Sequence, residues 1–162
     1  MKKTVCLLAT LVLTIGTLTG CSSSEETKAL NEYKTEMETF FTDLEEINTV
    51  INEIDPESET SISELFSTFD TLEEKFAYLA AIEVPLEGAP ETFVYIESLA
   101  DEASDYMVQA NGYMHDSFSD SSYNENTLAG AIECYRRANK RVQYIITLLH
   151  GEYPTDDNIS YN

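Results

Sequence analysis

The sequence predicts an all-α protein, an antiparallel up-down-up-down four-helix bundle, and three observations predict it. Apolar residues recur at alternating steps of three and four through four separate segments, which keeps one stripe of each segment turned toward a neighbour. Further apolar residues beside the stripes, Phe41, Phe66, Ala100, Met107, Met114, Ile132 and Ile146, widen them beyond the narrow seam of a two-stranded coil and toward a globular bundle. Polar connectors of moderate length separate the segments, and such connectors join antiparallel neighbours.

The first segment carries Leu30, Tyr33, Met37, Phe40, Leu44, Ile47, Ile51 and Ile54. Pro56 within "DPESETS" ends it, because the residue before a proline avoids the α region. The second segment carries Ile62, Leu65, Phe69, Leu72, Phe76 and Leu79. Ser61 with Glu64 reads as a capping box at its start. "VPLEGAP" stops it at Pro85, and Pro90 falls near the first turn of the third segment. There the stripe is Ile96, Leu99, Ala103, Tyr106, Ala110 and Tyr113; the fourth has Leu128, Ala131, Tyr135, Ala138, Val142, Ile145 and Leu149. Asn124 or Asn126 caps the fourth helix, and Gly151 followed by Pro154 closes it. The bundle domain is thus expected over residues 28–151, with a flexible polar tail at 152–162.

Ahead of the bundle lies a different kind of segment. Lys2 and Lys3 precede an uncharged, mostly apolar or small-residue run at 5–18. That run is shorter than the roughly 20 residues a membrane span needs and has the layout of a secretory signal. Its end, Leu18-Thr19-Gly20-Cys21, resembles the lipobox of bacterial lipoproteins at all four positions. The resemblance covers only the first 21 residues. It implies a signal peptide at 1–20, a diacylglyceryl group on the Cys21 thiol, and cleavage that leaves Cys21 as the new N-terminus. Residues 21–27 would then be the lipidated cysteine and a short tether. The protein would sit in the bacterial cell envelope, lipid-anchored on the extracytoplasmic side of the membrane.

Composition fits an exported protein. Loss of the leader removes two of nine basic residues and none of 30 acidic ones, which takes the formal charge from −21 to −23. So negative a surface repels nucleic acid and anionic headgroups. Of three cysteines, Cys6 lies in the leader and Cys21 carries the lipid. Cys134 is left without an internal disulfide partner and reads as a small buried hydrophobe.

Catalytic templates do not fit. There is no G-x-S-x-G, H-E-x-x-H or C-x-x-C. The residues three before His115 and His150 are Gly112 and Thr147, not the glutamates of a di-iron bundle. The loop from Asp120 to Asn126 alternates oxygen side chains as calcium loops do. Glu125 stands where the turn wants glycine, however, and Ala131 where the closing glutamate belongs. The expectation is therefore a non-enzymatic protein without cofactor or metal.

Two features remain as candidate sites. Arg136, Arg137, Lys140 and Arg141 concentrate four of the basic residues in one sector of the fourth helix. Either they compensate acidic neighbours such as Glu133, or they form an anion- or partner-contact patch, for which arginine forks are suited. Tyrosine is the other excess, with Tyr106, Tyr113 and Tyr135 on core stripes. Their rings either pack against facing alanines or line a cleft between the third and fourth helices. The preferred function is a lipid-anchored helical domain that binds a protein or envelope component through the basic sector. The alternative is a small-ligand-binding lipoprotein that uses the tyrosine-lined cleft.

Overall fold

The computed structural model describes residues 24–55, 57–118 and 124–155. The leader, the lipobox with Cys21, most of the Asp120–Asn126 loop and the tail from 156 onward lie outside the described residues. Four helices carry the rest: α1 (Ser24–Glu53), α2 (Ser61–Ala81), α3 (Ile96–Asp116) and α4 (Glu125–Leu149). A short 3-10 helix, Glu91–Tyr95, leads into α3. The described chain is thus an all-helical bundle.

Helix α1 begins at Ser24, ahead of the expected Lys28, so part of the expected tether is helical. Glu25 suits the helix start, since a carboxylate in the first turn complements the positive end of the helix dipole. At α2 the predicted capping box of Ser61 and Glu64 does not form, and no side chain caps the helix start. Thr60, outside the helix, holds Glu64 through a 2.5 Å hydroxyl–carboxylate bond, and Ser61 is already helical. Of the two candidates at α4, Asn124 is the cap: its side-chain oxygen accepts from the backbone N–H groups of Asn126 and Thr127. Beyond α4, Gly151 takes φ +78°, the left-handed conformation that glycine adopts without strain.

The core runs through all four helices and the 3-10 helix. In α1 and α2 it is built on the predicted stripes except at Ile62, which is 44% exposed at the start of α2. Phe40 meets Phe76 edge-to-face at 5.7 Å, and Asp43 pairs with Lys75 at 2.6 Å. In α3 the buried face is rotated from the prediction. Ala100, Met107 and Met114 point inward, while Leu99 and Tyr106 are half-buried and Tyr113 is 43% exposed. Methionine fills irregular core space, whereas a tyrosine hydroxyl favours the wet boundary. In α4, Cys134 takes a core place and Tyr135 lies at the edge.

Helices α3 and α4 pack more extensively than any other pair. Contacts between Glu102 and Arg141, and between Tyr113 and Gly130, fix their register. Ala103 and Ala110 of α3 and Ala131 and Ala138 of α4 are all fully buried.

The 3-10 helix joins the ends of the other elements. Phe93 is fully buried against Tyr33 of α1, ring centroids 5.8 Å apart, and the Thr92 hydroxyl donates to the Leu148 carbonyl of α4 at 2.7 Å.

Candidate functional site

The basic sector of α4 follows directly from helical spacing. Glu133, Arg136 and Arg137 stand at i, i+3 and i+4. Glu133 accepts from Arg136 at 3.1 Å through one oxygen and from Arg137 at 3.0 Å through the other. One turn on, Arg141 reaches Glu102 of α3 at 3.0 Å. The Arg137 and Arg141 guanidinia lie over the Tyr106 ring, 5.7 and 4.8 Å from its centroid. Lys140 lies 5.6 Å from the Tyr144 ring. The arginine side chains differ in exposure, 70% for Arg136 and 51% for Arg137 against 21% for Arg141. Arg141 is therefore a strut between helices, and the outward charge belongs mainly to Arg136 and Arg137. Bonds to Glu133 and the neighbouring Tyr106 hydroxyl raise the Arg137 pKa further, so its charge is permanent.

The three tyrosines do not share a place. Tyr106 lies under the arginines, and Tyr113, two turns along α3, rests its ring against Gly130 of α4. Tyr135 turns to the other side of α4. There its hydroxyl donates to Asn48 of α1 at 2.6 Å and its ring meets Phe69 of α2 at 5.7 Å. Burial pushes its pKa up to about 12, so it remains a neutral hydrogen-bond donor. The structure thus brings Tyr106 and Tyr113 together with the basic sector on one face and uses Tyr135 to tie α4 to α1.

A polar cluster between α2 and α3 was not visible in the sequence. Asn111, buried in the interface, donates through Nδ2 to Asp70 at 2.9 Å and to Glu73 at 2.7 Å. His115 Nε2 lies 2.9 Å from the same Asp70 oxygen, and its ring stacks on Phe66 at 4.4 Å. The Asn111 and His115 bonds hold the Asp70 carboxyl below its usual range. Asp70 and Glu73 one turn apart on α2 looked like ordinary surface charge; only the register of α3 turns them into acceptors. Among the described residues, no group of three or more His, Cys, Asp or Glu is arranged to hold a metal. No described helix is long and apolar enough to cross a membrane.

Open depressions lie at both ends of α1 among the described residues. One, of about 400 Å³, lies between the end of α1 and the start of α2, lined by Val50, Ile54, Glu64 and Thr68 among others. The other, of about 900 Å³, lies at the opposite end of α1, against the close of α2 and the following connection. Neither is lined by Tyr106, Tyr113 or Tyr135. Compared with known proteins, the chain matches no family model, no curated protein and no solved structure.

Proposed function

We propose that this chain is a lipoprotein of the bacterial cell envelope, anchored on the extracytoplasmic side of the membrane through lipid on Cys21. Its helical domain is non-enzymatic and binds a protein or envelope component. The anchor rests on the Leu18-Thr19-Gly20-Cys21 pattern and the charged and apolar regions before it. An up-down-up-down order of the bundle is part of the reading. It is supported by contact partners whose numbers run in opposite directions: Asp70 with His115 and Glu73 with Asn111, Glu102 with Arg141 and Tyr113 with Gly130.

The docking surface is the face of α4 that carries Arg136 and Arg137, flanked by Tyr106 and Tyr113 of α3. One observation carries this choice. Two exposed guanidinia share the single carboxylate of Glu133, which orients them and leaves a local excess of positive charge on an otherwise strongly acidic protein. Such a surface fits carboxylates or phosphates of a partner.

Crosslinking in intact cells, with identification of the captured proteins and parallel fatty-acid labelling, tests the reading. Arg136→Glu with Arg137→Glu is expected to cut capture by at least about tenfold, the scale of reversing contact charges, with the helical bundle still folded by circular dichroism. Cys21→Ser is expected to abolish lipid incorporation. Unchanged capture removes this surface from the proposal, and continued lipid labelling refutes the anchor.

A further inference from the structure

The recess of about 900 Å³ beside the start of α1 has a chemistry of its own, independent of the α4 surface. Glu25, Ala29, Glu32, Tyr33 and Glu36 all border it, and their helical spacing places them on one face of α1. Glu83 and Glu87 bring two more carboxylates from the connection after α2. Between these charges the wall is apolar: Tyr78, Ile82, Val84 and a strongly exposed Leu86.

A ring of carboxylates alone gathers cations diffusely. Tyr33 makes this recess more specific. Tyr33 is only 3% exposed, yet its buried hydroxyl bonds no group among the described residues, and buried hydroxyls nearly always have a partner. Burial, and then the negative charge of Glu36, push its pKa far above the usual tyrosine range. The group is therefore a neutral O–H whose oxygen still has lone pairs for a donor.

A ligand that satisfies all of these groups needs a positive charge for the glutamates, N–H donors for the phenolic oxygen, and an aliphatic part for the wall. A hydrated metal ion lacks the last, and an anion is repelled. We propose that this recess binds an alkylammonium group, a primary ammonium on an aliphatic stem, with the charge held beside the Tyr33 hydroxyl between Glu36 and Glu32, where it displaces the exposed 3.4 Å pair that Lys28 makes with Glu32. A free polyamine and a lysine side chain of a partner protein share this chemistry.

Isothermal titration of the full chain in detergent micelles, at fixed ionic strength, tests the site with spermidine, with an acetylated Ala-Lys-Ala amide, and with magnesium chloride. Saturable one-site binding of either amine probe is expected, and magnesium at matched ionic strength should not displace it. Spermidine alone points to a free polyamine, and the peptide alone to a partner's lysine. Glu32→Gln with Glu36→Gln should weaken binding at least about tenfold, a few contacts' worth. Glu45→Gln with Glu46→Gln removes the same charge elsewhere on α1 and should change affinity less than about twofold. Tyr33→Phe keeps the ring and should weaken binding about fivefold, the scale of one hydrogen bond. Equal weakening by both glutamate pairs, displacement by magnesium, or no saturable binding overturns the proposal.

Discussion

Asp70 shows how a single surface carboxylate becomes part of a helix interface. One of its oxygens accepts from both Asn111 and His115, and these bonds lower its pKa from 3.8. A depressed carboxylate stabilises the fold at pH above its unfolded value, and that contribution is lost as pH falls through the folded value. Wild-type protein should therefore lose melting temperature below pH 3.8 more steeply than Asp70→Asn does. The comparison isolates Asp70 from the other carboxylates, whose protonation relieves repulsion in both proteins. Parallel melting curves against pH would dismiss the linkage. Asn111 has its own imbalance, for its Nδ2 serves two carboxylates while Oδ1 is buried without a bond among the described residues. The cost of that orphan is offset by anchoring two acidic side chains that would otherwise repel.

Among the elements, two glycines separate conformational need from simple tolerance. Gly112 lies in α3 with open space where a Cβ would stand; Gly151 holds φ +78° past α4. Gly112→Ala should stabilise by about 0.5–1 kcal/mol through helix propensity, while Gly151→Ala should cost about 1–2 kcal/mol in the left-handed region. Urea unfolding of the two variants reads these opposite signs directly. The same elements show what the sequence revealed. The stripes of α1 and α2 were legible because large residues such as Phe40, Leu72 and Phe76 stand on one face without rivals. In α3 two adjacent faces are equally apolar, so spacing alone did not choose Met107 and Met114 over Tyr106 and Tyr113. The 3-10 helix was hidden because five residues carry no period, though Phe93 is as buried as any core residue. Arg136 and Arg137 stood out as a basic run in an acidic chain. The alkylammonium recess did not, because its parts come from separate segments and its glutamates read singly as solvated surface.

Over the whole molecule, charge is the dominant asymmetry. The 30 acidic residues far outnumber the basic ones, so lysine and arginine pairs such as those on Glu32, Asp43, Glu102 and Glu133 can neutralise only a minority of them. Net repulsion therefore outweighs the attraction that salt would also screen. Raising sodium chloride from about 0.01 M to about 0.5 M, which cuts the Debye length several-fold, should raise the melting temperature; a fall would show that the ion pairs dominate. The arrangement of packing has a different consequence. Helix α1 meets the others mainly through α2, with the Tyr33–Phe93 and Asn48–Tyr135 contacts as outlying ties. A pull on the N-terminus along the axis of α1 loads these ties together with Phe40–Phe76 and Asp43–Lys75, so they resist in parallel. A pull across that axis meets them one at a time, beginning at Tyr33. The bundle is mechanically anisotropic, and the direction in which its N-terminus is drawn decides whether α1 holds or peels.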